Sequence, residues 1–294
     1  VYPSRRFQQA MAEALACGAI PVIKGTEFVD QGIFTVLTAR AYSQERKGIG
    51  DYQRWLVHHA DLFCGGENIA PVAILHPGDV LWIKWSRVAP LYFGAAQTLL
   101  AGGIPWRVVR SPHEAKDAQV LIALEPSSQI ALASSRWVVL QELSWWRDLR
   151  ATEMRWPGQL RRMLETTILL LYRSYFRSRW MRKWIDRIGL VHFFLQSPYF
   201  QLPPEHVQEK LIAAIGPVFP RVFSKHPVLI ETWRRNMEEQ IHLVNYAEAP
   251  QEVTVEFGSI RRGHVISPDG PGFSFEGSKL TLRLDIYSIL ILKE

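Results

Sequence analysis

The C-terminal part of the chain alternates apolar and polar residues in four short segments: Glu239–Tyr246, Glu252–Phe257, Lys279–Asp285 and Tyr287–Glu294. An alternation with a period of two residues is typical of strands that bury one face. Ser267–Gly270 reads Ser-Pro-Asp-Gly, and Pro, Asp and Gly are the residues that favour tight turns. The pattern therefore predicts a small antiparallel β-domain over residues 223–294.

The N-terminal part has helical spacing. Apolar residues recur every three to four positions across Phe7–Ala16, which predicts a helix with Gly18 as its stop. The apolar segment Ala19–Ile23 predicts a strand, and the polar residues Lys24–Glu27 predict a loop after it. A second helix is predicted over Asp51–Phe63. Helix, glycine, strand and loop in this order form half of an α/β repeat.

The middle of the chain alternates apolar runs with helical segments. The two helices are predicted at Ala89–Ala101 and Glu205–Ile215. Strands are predicted at Pro71–Leu75, Pro105–Val109, Gln119–Ala123, Arg136–Leu140 and Leu190–Leu195. Because strands that alternate with helices form parallel sheets with both faces covered, we expect a doubly wound α/β domain here.

Composition adds little to this picture. The chain has 294 residues, 48% hydrophobic and 21% charged, which is an ordinary globular balance. Two cysteines make no disulfide framework, so we expect buried thiols in a reducing, cytoplasmic compartment. No secretory signal is visible, and the apolar stretch near Thr167–Tyr172 is too short to span a bilayer. The chain starts with Val rather than Met, and its first residues read as part of a secondary-structure element that has already begun. This suggests a piece of a longer protein, and a processed N-terminus is the alternative.

Residues 12–25 read AEALACGAIPVIKG, and residues 242–246 read HLVNY ahead of a strand pair, the SPDG turn and a closing apolar strand. The first segment resembles the last helix–strand unit of a glycosidase (β/α)8 barrel. The second resembles the C-terminal β-domain of multidomain glycoside hydrolases of the β-galactosidase type. The α/β middle resembles the flavodoxin-like, amidotransferase-like trimerisation domain that lies between them.

The resemblance implies three parts: the end of a barrel with a connecting helix (1–68), an amidotransferase-like α/β domain (69–222) and a C-terminal antiparallel β-domain (223–294). It also implies the C-terminal portion of a glycoside hydrolase that acts on a carbohydrate substrate, with its catalytic carboxylates upstream in a barrel domain or chain. A homo-oligomer is expected. The alternative is a non-catalytic module for oligomerisation or carbohydrate contact.

Four residues are candidates for substrate binding. Lys24 and Glu27 follow the AIPVI strand, where barrel enzymes keep their sites. Glu27 either contacts sugar hydroxyls or is a solvated loop carboxylate. Trp82 and Trp85 lie in a loop-like stretch after the first strand of the α/β domain, where open sheets place ligands. Their rings either stack on a sugar or pack between domains. Glycoside hydrolysis needs two carboxyl groups, and neither is assigned here.

Two other kinds of chemistry have weaker support. Amidotransferases use a cysteine on a strand-to-helix elbow, whereas Cys17 ends a helix and Cys64 precedes two glycines, so no cysteine nucleophile is expected. His58 and His59 lack a third ligand at metal spacing, and no glycine-rich phosphate loop occurs, so we expect neither a metal nor a cofactor.

A basic stretch, Arg155–Arg187, carries eight arginines interleaved with aromatic residues. Such a stretch fits a subunit or domain interface, a membrane surface or nucleic acid. We favour the interface, and thus neither nucleic-acid nor membrane binding. His192 and His242 lie among apolar neighbours and are expected to be core or interface residues.

Overall fold

The structure is a computed structural model that describes residues 4–19, 26–29, 32–35, 43–78, 85–125, 136–140, 143, 203–235 and 237–293. Its helices are α1 (Ser4–Ala16), α2 (Ser43–His58), α3 (Trp85–Ala101) and α4 (Glu205–Ile215), with 3-10 turns at Ala60–Leu62 and Pro112–Ala115. Its strands are β1 (Thr26–Val29), β2 (Gly32–Thr35), β3 (Glu67–Asn68), β4 (Val72–Leu75), β5 (Trp106–Val109), β6 (Val120–Ala123), β7 (Trp137–Val139), β8 (Arg221–Ser224), β9 (Val228–Arg235), β10 (Glu238–Asn245), β11 (Gln251–Ser267), β12 (Gly270–Leu284) and β13 (Tyr287–Lys293).

The predicted α/β fold class is confirmed. Within the described residues, four parallel strands form a sheet in the order β5-β4-β6-β7, the order in which flavodoxin-like sheets begin. Helices α3 and α4 pack on one face, where Leu99 and Leu211 meet Ile74 and Ile122 in a continuous core. The predicted strand Leu190–Leu195 and the basic stretch lie outside the described residues.

The C-terminal part of the chain, from Arg221 onward, forms an antiparallel sheet that curls into a half-barrel. Seven described strands form it, in the order β12-β11-β13-β10-β9-β3, with β8 paired to the first half of β11. The pairing of β11 with β12 shifts register between Glu256 and Arg261. On its other edge, β11 pairs with β8 before this shift and with β13 after it. Apolar residues on alternate positions fill the concave face, among them Ile230, Ile241 and Leu290.

Helices α1 and α2 pack on the convex face of this sheet. Met11 and Leu15 of α1 and Tyr52 of α2 meet Val244 and Tyr287 in a separate buried cluster. The helix predicted at Phe7–Ala16 is confirmed, with Gly18 after it at φ 74°. The strand predicted at Ala19–Ile23 lies outside the described residues.

The two sheets meet at the turn after α3. The backbone N of Val222 donates to the Gly103 carbonyl oxygen at 2.8 Å. Gly103 has φ 60°, and a Cβ placed on it would lie 1.9 Å from the Val222 oxygen. Only glycine fits this close approach of two backbones.

Several sequence expectations were wrong. The residues predicted as a loop at Lys24–Glu27 end in strand β1, because Thr26–Val29 pairs antiparallel with Gly32–Thr35. Helix α2 begins at Ser43 rather than Asp51. Helix α3 begins at Trp85 rather than Ala89, because buried Val88 and Ala89 extend its apolar stripe ahead of Pro90. Trp85 is therefore helical and does not lie in a loop.

The expectation for the cysteines was also wrong: Cys17 and Cys64 are both exposed. Each follows the end of a helical segment and precedes a glycine with positive φ, where the chain turns. None of the helices that the structure describes combines the length and the apolar character needed to cross a bilayer.

Candidate functional site

A cavity of about 230 Å³ lies between the two sheets. Its floor comes from the concave face of the antiparallel sheet, and its opposite wall comes from residues that precede β4, β6 and β8. The residues around it are Ile69, Pro71, Asp117, Gln119, Phe219, Pro220, Thr232, Arg234, Glu239, Gln240, Ile241, Phe257, Arg261 and Leu292. The cavity thus exists only where distant parts of the chain pack together.

The rim on the antiparallel side carries one carboxylate between two guanidinium groups. Arg234 and Glu239 are paired residues of the β9–β10 hairpin, so their side chains leave the same face. Arg234 Nη2 lies 3.6 Å from Glu239 Oε1, and Arg261 Nη2 lies 3.3 Å from Glu239 Oε2. These pairs are partly exposed and contribute at most about 1 kcal/mol each to stability. Their main effect is to orient donors and acceptors at the cavity mouth.

Thr232 lies at the floor of the cavity. It faces its pair partner Ile241 on the concave sheet and is 3% exposed. Its Oγ1 is buried and has no hydrogen-bond partner among the described residues. A buried hydroxyl without a partner costs about 1–3 kcal/mol, so a folded protein rarely keeps one without a reason.

Aromatic rings form the apolar part of the wall. Phe257 is buried, whereas Phe219 is 38% exposed at the mouth. The Phe219 ring rests on the backbone of Gly258, where an added Cβ would lie 2.6 Å from Phe219 Cδ2. Because Gly258 has no Cβ and adopts φ 75°, the Phe219 ring has room to pack directly against the backbone of the sheet.

The wall on the parallel side comes from the amino-terminal ends of strands. The Gln119 backbone N donates to the Pro71 carbonyl oxygen at 2.8 Å, which joins the starts of β6 and β4. Asp117 accepts a hydrogen bond from Arg107. Open α/β sheets bind ligands at the carboxyl ends of their strands. This cavity lies at the opposite edge, so it is a feature of the contact between the sheets.

A second polar cluster lies on the convex face and is structural. His242 Nδ1 lies 2.6 Å from Tyr287 Oη, and Arg235 Nη1 donates to Gln240 Oε1 at 3.3 Å. Burial, with Arg235 nearby, lowers the pKa of His242 to about 3. A neutral, bonded His242 is a core residue, as the sequence predicted, whereas His192 lies outside the described residues. Burial raises the pKa of neighbouring Glu231 to about 8, although its hydrogen bond from Asn68 opposes the shift.

The four residues predicted to bind substrate do not form this cavity's described lining. Lys24 and Trp82 lie outside the described residues. Glu27 lies in β1, opposite Phe34 of β2, and Trp85 is the first residue of α3. Their roles in substrate binding stay predictions. Among the residues that the structure describes, no three His, Cys, Asp or Glu side chains are grouped as metal ligands.

The thiol of Cys17 has the wrong surroundings for a nucleophile. Partial burial of the sulfur, together with the carboxyl groups of Glu231 and Glu13, raises the pKa of Cys17 well above its ordinary value. Because the thiolate is the reactive form, this thiol is a poor nucleophile near neutral pH.

The sequence reasoning missed the cavity residues. One signal was available: RRNMEEQ places Arg234 and Glu239 across a tight hairpin, and Thr232 is a polar residue at an inward position of an alternating strand. No signal in the sequence relates these residues to Asp117 or Phe219, because packing of the two sheets brings them together.

No family model matches the sequence, and no curated protein matches it. Solved structures do match. A catalytic mutant of a GH42 β-galactosidase from G. stearothermophilus matches with a TM-score of 0.50 and 12% identity, over 99% of this chain and 51% of that one. α-L-Fucosidase isoenzyme 2 from Paenibacillus thiaminolyticus matches with a TM-score of 0.47 and 11% identity, over 99% of this chain and 57% of that one.

The likeness is one of fold. At 12% identity, the match to the GH42 β-galactosidase shows a fold shared with part of that protein and nothing finer. The chain spans little more than half the length of each solved protein, so their activities belong to longer chains.

Proposed function

We propose that this chain is the C-terminal, non-catalytic portion of a glycoside hydrolase whose acid and base lie in a preceding barrel. The observation that carries the proposal is the order of its parts. A parallel α/β sheet is followed by a curled antiparallel sheet, and this arrangement covers about half of a GH42 β-galactosidase. The substrate class that follows is a glycoside, and the proposed location is the cytoplasm.

The chemistry of the described cavity agrees with a non-catalytic role. Glycoside hydrolysis uses two carboxyl groups that face each other across the scissile bond, about 5–10 Å apart. The two carboxylates at the cavity are instead held in ion pairs: Glu239 with Arg234 and Arg261, and Asp117 with Arg107. The cavity therefore offers a surface for binding and not an acid–base pair.

The test is to extend the coding sequence upstream and to compare two polypeptides, the chain alone and the chain with its preceding segment. Hydrolysis of p-nitrophenyl β-D-galactoside and p-nitrophenyl α-L-fucoside is measured for both. We expect release of p-nitrophenol from the extended polypeptide only. The proposal is overturned if the isolated chain is as active as the extended one, or if the preceding segment encodes no barrel.

A second candidate is a carbohydrate-contacting or oligomerisation module, which the cavity between the sheets favours. In either case we propose a homo-oligomer, with Trp180 and Trp184 of the basic stretch at the subunit interface. Sedimentation at low and high salt tests this: Trp180→Ala and Trp184→Ala are expected to weaken a salt-resistant oligomer. A monomer at all concentrations argues against the interface, and salt-sensitive binding of RNA or DNA indicates a different partner.

A further inference from the structure

We infer that the cavity between the sheets binds a single neutral sugar ring. This inference rests on the second candidate function, the carbohydrate-contacting module, and deepens it by naming the site and the ligand; it needs no catalytic barrel. The cavity is open to solvent at Arg234 and Phe219, so a ligand can enter there. Its floor at Thr232 and Ile241 is buried, so the part of the ligand that reaches it leaves water. Its volume of about 230 Å³ lies below the roughly 300–1,000 Å³ of sites for drug-sized ligands, which indicates one ring.

The charge balance selects a neutral ligand. Two arginines, Arg234 and Arg261, and two acids, Asp117 and Glu239, line the cavity, so the formal charges cancel. An anion at the rim would lie beside the carboxylate of Glu239, and a cation would lie beside the guanidinium groups of Arg234 and Arg261, so each would meet a like charge. A neutral ligand leaves all of these ion pairs in place.

The remaining groups match a polyhydroxylated ring. Each sugar hydroxyl both donates and accepts hydrogen bonds, and the rim offers guanidinium donors at Arg234 and Arg261 beside the carboxylate acceptor of Glu239. The Phe219 ring supplies an aromatic face for the C–H side of a sugar. At the floor, the unpartnered Oγ1 of Thr232 gains a partner once a ligand hydroxyl enters.

The experiment is isothermal titration calorimetry of the full chain with D-galactose and D-glucose, with D-galacturonate and sulfate as anionic probes. We expect saturable binding of a neutral sugar and weaker binding of both anions. Arg261→Met removes hydrogen bonds to a charged donor, which are worth about 1.5–3 kcal/mol, so affinity is expected to fall about ten- to hundredfold. The matched control is Arg262→Met, because Arg262 is paired with Glu276 and does not line the cavity.

A second pair of variants keeps the inference testable if Arg261→Met fails to fold, as judged by circular dichroism. Phe219→Ala removes the aromatic wall and is expected to weaken sugar binding, whereas Phe223→Ala alters an exposed ring outside the cavity and is expected to have no effect. The inference is overturned by absence of sugar binding, by anions that bind more tightly than the neutral sugars, or by equal losses in the cavity and control variants. Because the readout is binding alone, loss of the proposed hydrolase role would leave it unaffected.

Discussion

Replacing Asp269 by Ala is expected to destabilise the contact between helix α2 and the C-terminal sheet. Asp269 lies in the turn between β11 and β12. Its Oδ1 accepts a hydrogen bond from Tyr52 Oη at 2.7 Å, and its Oδ2 accepts from the backbone N of Ile286 at 3.1 Å and of Tyr287 at 2.9 Å. One carboxylate thus joins the turn, the start of β13 and the second helix.

The magnitude follows from the three donors that lose their acceptor. A hydrogen bond to a charged group contributes about 1.5–3 kcal/mol to stability. The loss per bond is smaller where water can enter and accept the hydrogen bond in place of the carboxylate. Asp269 is only partly buried, so we expect Asp269→Ala to lower the free energy of unfolding by about 3–4 kcal/mol. Tyr52→Phe removes one of the three bonds and is expected to cost about 1–2 kcal/mol.

Urea unfolding followed by circular dichroism measures both values. Because the two side chains share a bond, the double variant is expected to lose less than the sum of the single losses. Glu276→Ala is the control, since it breaks only an exposed ion pair with Arg262 and is expected to cost less than about 0.5 kcal/mol. A loss below about 1 kcal/mol for Asp269→Ala, or full additivity with Tyr52→Phe, would refute the reasoning.

Three further predictions concern pH, backbone geometry and thiol chemistry. The pKa of Glu231 is raised from its ordinary 4.5 to about 8 in the folded chain. Between these two pH values, Glu231 is protonated in the folded chain and ionised in the unfolded chain. The stability that this group contributes is complete below pH 4.5 and is lost as the pH rises through about 8. In Glu231→Gln, the midpoint of urea unfolding is therefore expected to change less with pH in this window, and above it the variant is expected to be more stable than the native chain. Gly103→Ala is expected to lower the free energy of unfolding more than Gly65→Ala. Both glycines have positive φ, which costs an alanine about 1–2 kcal/mol of strain, but of the two only Gly103 has a backbone atom at the position that a Cβ would occupy. Equal thermal shifts for the two would contradict this account. Cys17→Ala and Cys64→Ala are expected to leave any hydrolase activity of the extended polypeptide unchanged, and loss of activity with folding intact would identify a catalytic thiol.

The sequence predicted elements best where local signals agree. Helix α4 was predicted with both of its ends, because two prolines precede it and Gly216, at φ 69°, follows its apolar stripe. The outer parts of β11 and β12 were missed. Residues such as Ser259 and Ser274 are exposed there, and the alternation of Phe273 and Phe275 with polar residues is too short to mark long strands. Pairing between β11 and β12 holds this region in the strand conformation.

The cavity was beyond the reach of sequence patterns for a different reason. Gln119, Phe219 and Arg234 are separated along the chain and belong to elements with unrelated periodicities. Contacts between the parallel and antiparallel sheets, among them the Val222–Gly103 and Ile69–Thr232 backbone hydrogen bonds, bring them together. A local pattern can predict that Arg234 and Glu239 share a hairpin, but the opposite wall of the site depends on tertiary packing.

Strand β3 has a consequence for how the chain folds during synthesis. Glu67 and Asn68 pair with Arg234 and Trp233 at the edge of the C-terminal sheet, and α1 packs on the same sheet. Helix α1 and strand β3 precede the C-terminal strands in the chain, so they must wait for those strands before they bury their apolar surface. The parallel strands between them meet partners much sooner. Segments that wait in this way are exposed to aggregation, so α1 and β3 are where a chaperone would protect this part of the chain.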